Sequence, residues 1–180
     1  MPLADKLSIL RIILIPVFVS LLIYAEQYPA LKYFAIWTFI LAVLSDFFDG
    51  FAARIRKEKS EIGQIIDPAA DKLFLFAACI VLYLLDYPIP LVFVLILVSR
   101  DFIILVGIGI LHFMKIEIPI APSVWGKLTT LSQMATILCV LFECPFSVWV
   151  VRAAMLFTLV SGVGYITRGV KALNRLAHTR

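Results

Sequence analysis

The chain has 180 residues, of which 63% are hydrophobic and 16% charged, with a net charge of +4; an ordinary soluble domain has roughly 45–50% and 25%. A soluble core of this size cannot bury that much apolar surface, and the length leaves no room for a separate soluble catalytic module. The basic residues flank apolar runs, where orientation signals and anionic lipid headgroups act, so the excess of positive charge points to membrane lipid and not to nucleic acid.

The apolar residues come as runs of about 20, long enough to cross a hydrocarbon layer of roughly 30 Å as helices. The fold class expected is all-α, a single polytopic membrane domain over residues 1–180 with six transmembrane helices. The first helix is predicted from about Ser8 to Ala25, with Pro16 inside it. Its run Ile12 to Ala25 lacks a small-residue cleavage site and reads as a retained span. The second starts near Leu31, stays apolar to Leu44 and continues as a helix through Arg54 into the polar loop Arg56 to Glu61. The third is predicted from about Asp67 to Leu85, with Pro68 in its first turn, and Tyr87-Pro88-Ile89-Pro90 connects it to the fourth, Leu91 to Phe113. After Pro119 and Pro122 the fifth covers Gly126 to Phe142, and after Pro145 the sixth runs to about Val170. Lys6, Arg11, Arg54, Arg56, Lys57, Lys59, Lys72, Lys115, Lys127 and the basic tail fall on one face, whereas the other holds only Lys32 and Arg152. The positive-inside rule therefore puts both termini and the working face in the cytoplasm, in an inner membrane.

Four carboxylates stand at the cytoplasmic ends of the second and third helices: Asp46, Asp49, Asp67 and Asp71. Ionisable groups at membrane depth are expensive and usually have a task. Asp46, Asp49, Gly50 and Ala53 fall at i, i+3, i+4 and i+7, so two acids and two small residues share one stripe; Gly63, Asp67 and Asp71 are spaced by four and align likewise. Four converging carboxylates repel unless cations neutralise them, and all-oxygen ligation suits Mg²⁺ or Mn²⁺, two of which would form a clamp for phosphoryl chemistry. Gly50 and Ala53 let a phosphate or nucleotide approach the backbone, and Arg54 can neutralise it. The competing reading, ion pairs from Asp46 or Asp49 to Arg54 and from Asp71 to its neighbour Lys72, leaves two carboxylates unpaired.

The run Asp46-x2-Asp49-Gly50-x2-Ala53-Arg54-x8-Gly63-x3-Asp67-x3-Asp71 resembles the signature of the CDP-alcohol phosphatidyltransferases at all eight fixed positions. Six membrane helices with the motif across the second and third is also that family's architecture. The resemblance implies transfer of a phosphatidyl group from CDP-diacylglycerol to an alcohol with release of CMP. It assigns divalent metal to Asp46, Asp49, Asp67 and Asp71, nucleotide binding to Asp49, Gly50, Ala53, Arg54 and Gly63, and the general base to Asp71. It also implies a homodimer.

Three basic residues are candidates for the acceptor. Asp5-x2-Ser8-x2-Arg11 resembles the Asn-x2-Thr-x2-Arg opening of the family's bacterial phosphatidylglycerophosphate synthases, with an acid in place of the amide; Arg11 reads either as a headgroup anchor or as a phosphate ligand. Arg100 and Asp101 lie about ten residues inside the fourth helix and should face a cavity or the bundle interior; as neighbours they are expected to point apart and take separate partners. Lys127 opens the fifth helix, whose Thr130 and Gln133 give a polar stripe beside Gly126 or Lys127. Ser99-Arg100-Asp101 resembles both the branch that uses glycerol 3-phosphate, typically Ala-Arg-Glu at this point, and the cardiolipin synthases, which use phosphatidylglycerol. Glycerol 3-phosphate, the commoner bacterial acceptor, is the one expected.

The remaining features read as structural. Cys79, Cys139 and Cys144 have no metal-ligand spacing and are expected to be buried apolar thiols; His112 and His178 are interfacial or solvated, and the paired glycines of the fourth and sixth helices serve close packing. A divalent-cation transporter would need carboxylates near mid-membrane on several helices, whereas the acids here gather at one end.

Overall fold

The computed structural model describes the backbone of residues 3–56, 61–113 and 124–177, and the side chains of residues 9–45, 72–107 and 124–170. Among the described residues there are six helices and no strand: α1 (Leu3–Ala25), α2 (Ala30–Arg56), α3 (Glu61–Leu84), α4 (Leu91–Phe113), α5 (Val124–Leu141) and α6 (Ser147–Ala177). Helix α4 has the expected ends. Helix α3 begins at Glu61, six residues before the expected start, so Pro68 is its eighth residue and not part of a first turn. An acid in the first turn suits the positive end of the helix dipole, and the helix continues through Pro68.

The chain divides into two compact units, Met1–Ile89 with Val140–Glu143, and Pro90–Cys139 with Cys144–Arg180. In the first, α1 packs against both α2 and α3. One aromatic ring from each helix meets in its core: Phe18, Phe39 and Phe74, with centroids 5.6 to 5.9 Å apart, are tilted against one another and almost fully buried. Such pairs contribute about 0.5–1.5 kcal/mol beyond their buried area. Phe39→Ala should therefore lower stability by about 3–5 kcal/mol, measured by thermal or denaturant unfolding in detergent micelles.

Helices α3 and α5 end in the same backbone motif. Asp86 and Glu143 take positive φ, 56° and 53°. The Tyr87 amide donates to the Leu82 carbonyl at 3.0 Å and the Cys144 amide to the Cys139 carbonyl at 2.9 Å, while Asp86 and Glu143 donate to Tyr83 and Val140. These are Schellman caps with an acid where glycine is usual. Lys32, in the first turn of α2, donates to the Glu143 carboxylate and sits over the Tyr87 ring, 5.4 Å from its centroid. The Lys32 hydrogen bond and charge hold the Glu143 carboxyl below the usual carboxylate range. Asp86 combines left-handed strain with a negative charge at a helix C-terminus, and Asp86→Gly should raise stability by about 0.5–1 kcal/mol in the same unfolding measurement.

In the second unit α4 packs against α6, and polar side chains share the interior with apolar ones such as Phe93, Leu97 and Ile137. Thr129, Gln133 and Thr136 of α5 and Thr158 and Ser161 of α6 are buried. The Thr129 hydroxyl bonds the Trp125 and Phe157 carbonyls, and the Gln133 amide donates to Thr158 at 3.2 Å. The outer face of α6 carries Trp149, Leu156, Val163 and Val170, seven apart and 50–69% exposed. This apolar stripe is about 31 Å long at 1.5 Å per residue, close to the roughly 30 Å of a bilayer core. Among the described residues two stretches, Val124–Leu141 and Ser147–Val170, are long and apolar enough to cross a membrane; Ile9–Ala25, Ala30–Ser45 and Lys72–Leu84 are shorter apolar segments.

Candidate functional site

The eight signature positions lie on two helices: Asp46, Asp49, Gly50, Ala53 and Arg54 in α2, and Gly63, Asp67 and Asp71 in α3. Their side chains lie outside the described residues, but the helices around them fix where their backbone stands. Beyond the Phe39–Phe74 contact, α2 continues for 17 residues to Arg56 and α3 has 13 before it, back to Glu61, which is about 25 and 20 Å of helix. The four-residue link between them reaches at most about 18 Å, so the two segments must run antiparallel toward the same end. The same reasoning applies to α1 and α2, whose ends Ala25 and Ala30 are joined by an equally short link.

That register has a simple consequence. Arg11 is seven residues before Phe18, Asp46 seven after Phe39 and Asp67 seven before Phe74. Seven residues are two turns, about 10.5 Å along the axis and within about 20° of the same face. The ring cluster thus carries one cationic and two acidic positions at matched height, two turns beyond it. Asp71 is three residues from Phe74, one turn nearer the rings than Asp67, and Asp49 is one turn further out than Asp46.

Of the three basic candidates, Arg11 is 2% exposed. Burial overturns the reading of Arg11 as a headgroup anchor, which requires the guanidinium to reach the interface, and puts a fixed positive charge at the end of the first unit that carries the aspartates.

Arg100 corrects a second expectation. Its Nη1 donates to the carboxylate of Asp101 at 2.5 Å and its Nη2 to the Ser161 hydroxyl at 2.9 Å. Neighbouring Cβ atoms do point apart on a helix, yet the long arginine stem bends back, because a buried carboxylate left without a counter-charge costs several kcal/mol. The stem lies beside Gly162, where an added methyl group would meet Arg100 Cγ at 3.5 Å, an ordinary packing distance. Arg100 Nε has no hydrogen-bond partner among the described residues. Ser161 is a site residue that the sequence did not single out; a serine three residues after Thr158 on an apolar helix was the available signal.

Lys127 is exposed in the first turn of α5. The polar stripe expected beside it is shifted by one residue. Thr130 turns its hydroxyl to the Gly126 carbonyl at 3.3 Å, and the buried row is Thr129, Gln133 and Thr136, with Gln133 engaged by α6.

Comparison with known proteins gives a match to the family described as CDP-alcohol phosphatidyltransferase over residues 1–160. The chain is similar to a Mycobacterium tuberculosis protein named probable phosphatidylglycerophosphate synthase, with 31% identity covering 98% of this chain and 86% of the relative. It is also similar to the CDP-diacylglycerol–glycerol-3-phosphate 3-phosphatidyltransferases of Bacillus subtilis, at 30% identity over 95% of this chain and 96% of the relative, and of Aquifex aeolicus, at 31% over 94% and 96%.

Proposed function

The chain belongs to the CDP-alcohol phosphatidyltransferase family, and from that premise we propose that it transfers the phosphatidyl group of CDP-diacylglycerol to glycerol 3-phosphate, releasing CMP. The observation that carries the reading is the full family signature falling on α2 and α3, with Asp46, Asp67 and the buried Arg11 in register at one end of a three-helix unit. The acceptor is taken from the names of the relatives, which match over nearly the whole chain.

Asp71 takes the proton of the acceptor hydroxyl, whose oxygen attacks the phosphatidyl phosphorus; the bond to the CMP oxygen breaks and CMP leaves. Asp49, Gly50, Ala53, Arg54 and Gly63 receive the nucleotide, the two glycines and the alanine by letting the pyrophosphate approach the backbone and Arg54 by its charge. The donor set suits a hard divalent ion: Asp46, Asp49, Asp67 and Asp71 offer only oxygen, and the two cations of Arg11 and Arg54 do not balance four carboxylates. Held there, Mg²⁺ or Mn²⁺, as two ions, would neutralise the pyrophosphate oxygens. Arg100, Lys127 and Arg11 bind the acceptor phosphate. The protein works as one catalytic domain over residues 1–180, as a homodimer, in the cytoplasmic membrane with six spans and both termini and the site on the cytoplasmic side. The apolar outer stripe of α6 and the bias of basic residues support that placement.

The deciding experiment offers purified protein radiolabelled CDP-diacylglycerol with glycerol 3-phosphate, phosphatidylglycerol, inositol phosphate and serine. Glycerol 3-phosphate should be the best acceptor; exclusive turnover with phosphatidylglycerol would make the enzyme a cardiolipin synthase instead. Arg100 is already engaged by Asp101 and Ser161, so exposed Lys127 is the cleaner probe. Lys127→Ala should raise the KM for glycerol 3-phosphate by about 10- to 100-fold, the range for one hydrogen bond to a charged group, and leave the KM for CDP-diacylglycerol within about twofold. Equal effects on both would remove Lys127 from the acceptor site.

A further inference from the structure

Cys139 and Cys144 are both half-buried, unlike the fully buried Cys79, so the expectation of three buried apolar thiols holds for Cys79 alone. They occupy the two positions of the α5 Schellman cap whose side chains meet. In the matching cap of α3 those positions are Leu82 and Tyr87, an ordinary apolar pair; in α5 both are thiols. The amide of Cys144 lies 2.9 Å from the carbonyl oxygen of Cys139. With standard peptide dimensions that bond keeps the two Cα atoms within roughly 7 Å, and disulfides span about 4.4–6.8 Å between Cα atoms. In this cap the two positions stand on the same side of the turn, where their side chains ordinarily meet.

We propose that Cys139 and Cys144 form an oxidisable dithiol, converted by a small disulfide oxidant into an intrachain disulfide that closes the cap of α5. One thiolate attacks a sulfur of the oxidant, displacing one half of it as a thiol and leaving a mixed disulfide on the protein. The second cysteine then attacks the protein sulfur of that mixed disulfide, forming the Cys139–Cys144 bond and displacing the other half of the oxidant. Two electrons pass from the dithiol to the oxidant, and the two protons leave with the displaced thiols. The second step is intramolecular, between two residues held by one backbone hydrogen bond, so the mixed disulfide does not accumulate. The resulting six-residue ring encloses Glu143 and fixes the turn that presents it to Lys32. Lys32 stands at the end of α2 opposite Asp46, about 21 Å away along the helix, so the bond forms away from the aspartates.

The test treats the purified protein in detergent with 2,2′-dithiodipyridine, a small disulfide that enters apolar surroundings and releases a coloured thiopyridone for each protein thiol it converts. The expected result is release of two thiopyridones from the pair, no pyridylthio group left on either cysteine, and a Cys139–Cys144 link in the peptide map. In Cys144→Ser the adduct on Cys139 should persist, because no second thiol can displace it. Stable adducts on both cysteines of the wild-type protein would overturn the proposal, and so would two thiols that stay unmodified and are alkylated only after unfolding.

Discussion

Removing divalent cations should abolish CMP release, and adding back Mg²⁺ or Mn²⁺ should restore it. The expectation rests on charge. Helices α2 and α3 carry Asp46, Asp49, Asp67 and Asp71 toward one end of the first unit, with Asp46 and Asp67 at matched height beyond the phenylalanine cluster. Two unit charges about 5 Å apart repel by roughly 3 kcal/mol at an effective dielectric constant near 20. Four carboxylates facing a pyrophosphate therefore cannot bind it, and the two arginines, Arg11 and Arg54, do not reverse the balance. Asp46→Ala and Asp49→Ala should each lower kcat by at least about 10², since a divalent ion contributes several kcal/mol of charge stabilisation in phosphoryl transfer. Both variants should keep the unfolding midpoint of the wild type or exceed it, because they relieve repulsion. Glu58→Ala, between the two helices in sequence and outside the signature, should be near normal. Full activity of the metal-stripped protein in excess chelator would refute the assignment of all four aspartates.

The acidic stripes were legible in the sequence because helical periodicity alone aligns Asp46 with Asp49 and Asp67 with Asp71. The helices on which they lie were legible for the same reason, and α4 was placed between the loops that carry Pro88 and Pro90 before it and Pro119 and Pro122 after it. The start of α3 was not: the charged run Arg56 to Glu61 reads as a loop and Pro68 as a helix opening, whereas the helix accepts Pro68 eight residues in. Arg100 escaped for a different reason. Spacing rules describe where Cβ points, and a guanidinium on a four-bond stem is not bound by them; the buried Asp101 charge draws it back to its neighbour. The shift from Thr130 to Thr129 has a third cause. A threonine on a helix can return its hydroxyl to the carbonyl four residues earlier, as Thr129 does to Trp125 and Thr136 to Ser132, so it enters a buried face at little polar cost and sequence polarity does not reveal its side. The matched height of Arg11, Asp46 and Asp67 needed the structure, because it depends on which phenylalanines meet.

Asp71→Asn should lower kcat by at least about 10² while CDP-diacylglycerol still binds. An alcohol is a poor nucleophile at neutral pH, and a positioned base typically contributes 10²- to 10⁴-fold. Asp71 lies three residues from Phe74 and four from Asp67, so it stands one turn closer to the apolar core on the same stripe. That arrangement suits a division of labour in which Asp67 faces the charged donor and Asp71 the acceptor hydroxyl. Positive charge held beside it would keep Asp71 ionised against desolvation, which otherwise favours the neutral acid. Asparagine keeps the shape and can still accept a hydrogen bond, but it cannot take a proton, so the loss should appear in kcat with little change in the KM for CDP-diacylglycerol. The control is Asp67→Asn, which should weaken metal dependence and donor binding together. If Asp71→Asn turns over within several-fold of the wild type, the proton goes elsewhere, and Asp67, one turn away on the same stripe, becomes the residue to test as base.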